Sequence, residues 1–303
     1  MNPIIVTNNL TKKFKDLIAV NKINLKIKKG EIFGLLGPNG AGKTTTISML
    51  STLVKSTTGT AEVNGYDIKL HPNKVRESIG LVFQESILDL DLNALDNLDF
   101  HARLYKLSGK VKEKRINEVI ELVDLSKHLE KRVEKFSGGM KRRLEIAKGL
   151  LHHPKILFLD EPTLGLDPQT RRHIWNHILK LKKEEKITIL LTTHYMEEAD
   201  YLCDRVAIID NGKIIVTGEP KKLKSKLKGD IVKIRVNKLD DLAIKNLKNL
   251  KVINKLETSS NEISLVTINS ESKIAKIVEI IKKSNIEIEE LSVHKPTLED
   301  VFL

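Results

Sequence analysis

The sequence predicts an α/β protein in two parts, and three observations carry the prediction. Short apolar runs at Glu31–Leu36, Ile156–Asp160 and Ile187–Thr193 have the length and composition of parallel strands buried on both faces. Stretches with apolar residues at helical spacing separate those runs. From about Gly229 the texture changes to short alternating segments that read as a smaller α+β domain. The boundary is expected near 220–230, dividing the chain into 1–225 and 226–303.

Composition narrows the classes. Aromatics are only 4 % of the chain and charged residues 30 %, so the core must be aliphatic. The net charge of +12 is spread along the chain rather than gathered, which argues against a dedicated polyanion groove, and no nucleic-acid partner is expected. The densest basic run, Lys221–Lys228, reads as a solvated helix face. Cys203 is the only cysteine, which excludes an intrachain disulfide and suits a reducing compartment. No apolar stretch approaches the ~20 residues of a membrane-spanning helix, and the first residues lack the order of a signal peptide. A cytoplasmic protein is expected, with any membrane role supplied by a partner.

Taken in order, Ile4-Ile5-Val6 reads as one strand and Ile23, Leu25 and Ile27 as the inward face of another. Between them Phe14 lies in a polar stretch, where it either packs under a hairpin or offers a flat face to a purine base. After the strand at Glu31–Leu36, Thr44–Leu53 reads as a helix with Ile47, Leu50 and Leu53 on one face. Ala61–Tyr66 reads as a strand and turn, and Ile79–Gln84 as a strand ending in a polar side chain. Leu95, Leu98, Phe100, Leu104 and Leu107 suit one amphipathic helix, and Val111, Ile116, Val119, Ile120 and Val123 another. Ser137-Gly-Gly-Met140 heads a further helix with Leu144, Ala147, Leu150 and Leu151 on one side. Residues 169–185 read as helix, and Arg205–Asp210 with Lys213–Thr217 as a hairpin turned by Asn211-Gly212. Strand 231–236, helix 239–249, strands 251–257 and 262–268, helix 271–284 and strand 286–293 follow, a βαββαβ order like that of a ferredoxin-like domain. Pro296–Leu303 closes as a short helix capped by Thr297.

Chemistry concentrates in Gly34–Thr46. Gly37, Gly42, Lys43 and Thr44 satisfy G-x-x-x-x-G-K-[ST], the phosphate-binding P-loop. Such a loop needs glycines so that main-chain N–H groups can approach phosphates at the start of a helix. Lys43 is placed to reach the terminal phosphates and Thr44 to ligate Mg²⁺. Asp160, ending a buried strand expected next to the P-loop strand, suits the metal. Glu161 could then polarise an attacking water as general base. A GTPase needs a guanine-reading Asn-Lys-x-Asp and an Asp-x-x-Gly switch. Asn237–Asp240 matches the first by chance in the wrong domain, and the second is absent. Ser137-Gly138-Gly139 offers a second helix start rich in free N–H groups, which one nucleotide does not need from one chain.

The order Gly37–Thr44, Gln84, Ser137-Gly138-Gly139, Asp160-Glu161, Leu166-Asp167, His194 resembles the ATP-binding subunit of an ABC transporter over about residues 3–225. The resemblance implies an ABC ATPase core with a β-rich and a helical subdomain (about 86–150), binding ATP and Mg²⁺. It implies that Gly37, Pro38, Asn39, Gly40, Ala41, Gly42, Lys43, Thr44 and Thr45 wrap the phosphates and that Phe14 stacks on adenine. Gln84, with Thr44 and Asp160, would attend the metal, and Gln84 would sense the membrane subunit. Glu161, His194 and Lys43 would carry the hydrolysis. Ser137, Gly138 and Gly139 would close over the γ-phosphate held by a second protomer, with Asp167 linking the two sites.

What the resemblance implies about assembly is a homodimer, or a heterodimer with a similar ATPase, at the inner face of the membrane through a separate permease. Phe136 and Met140 depart from the commoner Leu and Gln of that signature but leave its hydroxyl and glycine N–H groups. Met140 with Lys141, Arg142 and Arg143, and Thr163–Pro168, resemble the drug-exporting branch of daunorubicin-resistance ATPases, whose small last domain ends like Pro296–Leu303. The rival reading, a soluble ABC ATPase acting on nucleic acid or ribosomes, would predict two cores or a long heptad insertion, and residues 37–194 hold neither. A permease helix is expected to dock on 85–100, where Leu88, Leu90 and Leu92 are either contact surface or core. Two bland readings stand beside these: Asp167-Pro168 is also a good helix start, and His173 with His177 reads as a solvated helix face.

Overall fold

The computed structural model describes residues 3–227, 229–240, 244–245, 247, 253–259, 261–267, 273–284 and 286–302. By contacts the chain forms two units, 1–219 and 220–303.

The first unit opens with β1 (Pro3–Phe14), β2 (Leu17–Ile23) and β3 (Lys26–Lys28). Ile23, Leu25 and Ile27 are all buried, as their spacing predicts, but the strand breaks between β2 and β3. Different stretches of β1 pair with each. Next come β4 (Ile32–Leu36), α1 (Lys43–Leu50), β5 (Thr58–Val63), β6 (Tyr66–Asp67), α2 (Pro72–Ser78) and β7 (Ile79–Val82). Helix α1 stops at Leu50 because Ser51 caps it and Thr52 turns left-handed, so Leu53 is exposed rather than on the expected helical face.

Three helices then pack on one another: α3 (Ala94–Leu104), α4 (Gly109–Leu122) and α5 (Gly138–Leu150). In α4 and α5 the expected inward residues Ile116, Val119, Ile120, Leu144, Ala147 and Leu150 are buried, but Val111, in the first turn of α4, is exposed. Helix α3 departs from expectation. Ala94, Asn97, Leu98 and Ala102 face inward, and Leu95, Phe100 and Leu104 face out, because small residues let α3 approach its neighbours closely. Leu88 is buried, whereas Leu90 and Leu92 are exposed.

Then follow β8 (Ile156–Asp160), α6 (Pro168–Glu185), β9 (Thr188–Thr193), α7 (Met196–Leu202), β10 (Arg205–Asp210) and β11 (Lys213–Gly218). Asn211 and Gly212 both take positive φ, the two-residue turn expected between the last pair. His177 on α6 is buried near Asp124, correcting the expectation that it lies on a solvated face; His173 is exposed.

A six-stranded sheet runs β11-β10-β4-β9-β8-β7, parallel except for β10 with β11. Every residue of β4, β8 and β9 is buried. One expectation fails here: β8 is not next to β4, because β9 lies between them. The register puts Leu36 beside Thr193 and Asp160 beside Thr192, so the carboxyl ends of all three strands meet at one edge. Ligands of open parallel sheets sit at that edge.

The second unit holds α8 (Pro220–Ser225), β12 (Asp230–Val236), β13 (Ile253–Ser259), β14 (Glu262–Thr267), a helix over Ile274–Lys283, β15 (Ile288–His294) and a closing helix over Leu298–Phe302. Its sheet runs β13-β14-β12-β15, antiparallel throughout, which is the strand order of a ferredoxin-like domain. Leu223 turns inward from the basic run while Lys221 and Lys222 are exposed. Of the helix expected at 239–249, residues 244, 245 and 247 are helical; 241–243, 246 and 248–249 lie outside the described residues, as do 251–252, 268 and 271–272 of the elements expected after it. Thr297 caps the last helix as expected, accepting from Asp300 N–H at 3.2 Å while Asp300 accepts from Thr297 N–H at 2.8 Å.

Candidate functional site

The loop between β4 and α1 takes the conformation its glycines allow. Gly42 has φ 101°, and a Cβ there would stand 2.4 Å from the Ala19 carbonyl on β2. The loop is thus packed directly on the first hairpin, and only glycine fits. Lys43, almost fully buried, donates to the carbonyls of Gly37 (2.8 Å) and Pro38 (3.0 Å) and pairs with Glu161 Oε1 at 3.1 Å. Its side chain therefore folds back over the loop. Pro38, Asn39 and Gly40 are exposed on the loop, and Ala41 is buried beneath it.

Strand ends supply the rest. Thr44 Oγ1 donates to Asp160 Oδ1 at 3.2 Å, and Thr192 Oγ1 donates to the same oxygen. Glu161 sits at φ 47°, a left-handed conformation that costs a non-glycine residue on the order of 1 kcal/mol. Its N–H donates to Thr192 Oγ1 at 3.0 Å, and its Oε2 lies 2.8 Å from His194 Nδ1. Lys43, Thr44, Asp160, Glu161 and His194, five residues chosen from sequence, thus form one continuous chain of contacts. Oxygen donors from Thr44 and Asp160 side by side suit a hard divalent cation, and Mg²⁺ sites commonly use one or two carboxylates with phosphates completing the set.

Other expected residues lie around that chain. Gln84 is exposed, and with Gly138 and Glu161 it lines a cavity of about 180 Å³. Ser137 caps α5, its hydroxyl accepting from Met140 N–H at 3.2 Å, and is itself exposed. Gly139 packs so tightly that a Cβ would stand 2.5 Å from Thr170 Cγ2 on α6. Asp167 caps α6 by accepting from Thr170 N–H at 3.0 Å; hydrogen bonds from Thr170 hold its carboxyl below the usual range. Phe14 is 44 % exposed at the end of β1, with Lys12 Nζ 4.6 Å from its ring centroid. Thr45 is half-buried in the first turn of α1.

Three polar residues that the sequence did not assign to the site lie in or next to it. Thr192 bridges Asp160 and Glu161, and the only hint of it was a polar residue inside an apolar strand. Arg142 bonds to the backbone around Gln84 and Glu161, and carbonyl acceptors leave no trace in a sequence. Glu198, fully buried, accepts from Thr163 (2.7 Å) and Trp175 (2.8 Å), and burial raises its pKa.

Away from the strand ends, a cavity of about 460 Å³ is lined by Leu53, Phe83, Ile87, His101, Tyr105 and Lys148 among others. Among the described residues no helix is long and apolar enough to cross a membrane.

Residues 20–164 match the family described as ABC transporter, and residues 218–303 match the C-terminal domain of DrrA1-3-like ATP-binding proteins. The chain is 39 % identical to the linearmycin resistance ATP-binding protein LnrL of Bacillus subtilis, covering 97 % of this chain and 96 % of that one. It is 36 % identical to the daunorubicin resistance ATP-binding protein DrrA3 of Streptomyces coeruleorubidus, over 99 % and 94 %. Among solved structures, cbiO1 of Clostridium perfringens, part of the ABC transporter complex cbiONQ, aligns with a TM-score of 0.70 and 31 % identity over 75 % of this chain and 94 % of that one. The ATP-binding cassette MJ0796, solved as a dimer bound to ADP and Pi, aligns with a TM-score of 0.64 and 28 % identity over 71 % and 98 %. The chain therefore belongs to the ATP-binding subunits of ABC transporters, in the DrrA-like group, and is an ATPase.

Proposed function

We propose that two copies of this chain, or one copy and a similar ATPase, close on two ATP molecules and drive a separate permease that exports a drug, lipid or similar cargo. One observation carries the reading. Lys43 and His194 both contact Glu161, beside Asp160 and Thr44, within one chain, while Ser137 and Gly138 stand exposed at the head of another helix. An exposed second phosphate-binding helix start suits the nucleotide of a neighbouring molecule.

Within each site, the loop Gly37–Thr45 wraps the phosphates, Lys43 neutralises the terminal ones and Phe14 stacks on the base. Glu161 takes the proton of the attacking water, and His194, hydrogen-bonded to Glu161, orients it and contacts the γ-phosphate. Thr44, Asp160 and Gln84 would hold Mg²⁺, which supplies charge neutralisation on the phosphate oxygens. Asp167 connects the paired sites.

The permease would seat on the 460 Å³ cavity, which Ile87 lines, and on the exposed apolar residues Leu90, Leu92, Phe100 and Leu104 of the same stretch of chain. Large apolar side chains left exposed on one short stretch of chain suit a protein interface. Membrane attachment would follow through that contact. The names of LnrL and DrrA3 support export of a toxic compound.

The test is Ser137→Arg. Nucleotide affinity should stay within twofold while ATP-driven association and turnover are lost; unchanged association would remove the two-copy site.

A further inference from the structure

We propose that the buried Arg142–Glu145 pair on α5 is a positioning device that holds the Gln84 loop in register with the turn carrying Glu161. The inference rests on the reading of Gln84 and Glu161 as parts of the ATP site, and it concerns residues that reading leaves without a role.

Arg142 is 7 % exposed and Glu145 4 %, and they pair at 2.9 Å one helical turn apart. A guanidinium has five N–H donors in a rigid plane, and all five are used here. Nε donates to the Pro162 carbonyl at 2.7 Å, and one Nη2 hydrogen each to the carbonyls of Asp160 (2.9 Å) and Glu161 (3.0 Å). Nη1 donates to the Phe83 carbonyl at 2.5 Å and to Glu145 Oε2. The other oxygen of Glu145 accepts from Ile87 N–H at 3.2 Å. One ion pair therefore grips the chain on both sides of Gln84, at Phe83 and Ile87, and grips three successive carbonyls around Glu161.

Stability alone gives a weak reason for such an arrangement. A buried ion pair loses much of its attraction to desolvation, and apolar residues of similar volume often serve as well. The pairing of β7 with β8 ends at Val82 beside Leu159, and what apolar residues cannot do is set the distance between the two loops beyond that last pair. Glu161 is where control is needed, because its backbone is left-handed: Thr192 fixes its N–H, and Arg142 shares its carbonyl with the Leu164 N–H of the same turn. Gln84 is exposed, so its placement depends on its backbone neighbours. Both loops line the 180 Å³ cavity, and Arg142 and Glu145 form part of its wall.

The test uses the full chain and measures kcat and KM for ATP, the Kd of a non-hydrolysable ATP analogue, and Tm. Glu145→Gln keeps size and one carbonyl acceptor while removing the charge that holds the guanidinium. It should lower kcat about tenfold, with KM and Kd within twofold and Tm little changed. Arg142→Lys keeps the charge without the planar fork, and should not restore kcat. In a Gln84→Ala background, Glu145→Gln should lower kcat no further, because both changes break the same relationship. Loss of Tm with kcat intact in the folded enzyme would overturn the inference, as would an equal tenfold loss in both backgrounds. If Gln84→Ala and Glu161→Gln each leave turnover unchanged, the site reading fails and takes the inference with it. An additive Glu145 effect sinks the inference alone.

Discussion

Lys43 Nζ lies 3.1 Å from Glu161 Oε1, so the cation assigned to the phosphates and the carboxylate assigned to the water are bound to each other. Both are almost fully buried, and each is the other's counter-charge. An incoming triphosphate must compete with Glu161 for Lys43. Glu161→Gln should therefore bind ATP at least as tightly as the parent, and about 2-fold to 10-fold tighter if the lysine is fully released. Calorimetric titration with ATP checks this, and weaker binding by the variant would contradict it.

His194 touches the opposite oxygen of the same carboxylate through Nδ1, at 2.8 Å. That bond fixes the imidazole's orientation and leaves Nε2 for the proposed phosphate contact. His194→Ala should lower kcat by about 10²-fold, in the range of a lost acid–base or orienting group, with ATP affinity changed less than threefold. A loss of affinity equal to the loss of kcat would assign His194 to ground-state binding instead.

Lys148 carries a buried ammonium with no hydrogen-bond partner among the described residues, and burial pushes its pKa down to about 8. Its folded pKa lies below its unfolded one of 10.5, so the unfolded chain binds the proton more strongly. The penalty is complete below about pH 8 and vanishes above the unfolded pKa. Lys148→Met should stabilise the protein at pH 7 by about 1 kcal/mol, with the gain fading as pH rises through that window. Thermal melts at several pH values check it. The same substitution should raise the pKa of His101, held at about 4 by burial first and by the Lys148 charge second; proton NMR titration reads that shift.

Glu198 accepts two side-chain hydrogen bonds in a fully buried position, from Thr163 and Trp175. Burial raises its pKa, so any stability it contributes in the protonated form is lost as pH rises through the folded value. Glu198→Gln keeps the acceptor and removes the charge, and should be neutral or stabilising at pH 8. Glu198→Ala leaves two buried donors unpaired and should cost about 2 kcal/mol or more. Chemical denaturation distinguishes them, and equal loss in both would show that the charge itself matters.

Residues that act through a motif were legible, because phosphate chemistry demands particular types at particular spacings: Lys43, Thr44, Asp160, Glu161 and His194 were named from sequence and meet in space. Relationships that depend on strand order were not. The insertion of β9 between β4 and β8, which makes Thr192 the bridge between the two acids, follows from crossover topology and not from any local pattern. Helix α3 misled because it has apolar residues on both faces. Larger Leu95, Phe100 and Leu104 dominated the reading, while the small Ala94 and Ala102 do the packing. Arg142 was invisible as a site residue because four of its five bonds go to carbonyls, which every residue owns.

The claim that two chains share each nucleotide is tested most directly by the mass of Glu161→Gln in solution with ATP, measured by sedimentation or light scattering. The variant should bind ATP without consuming it and persist as a dimer of about twice 34.3 kDa, returning to monomer when Ser137→Arg is added. A Glu161→Gln protein that stays monomeric in saturating ATP while the parent hydrolyses it would contradict the account.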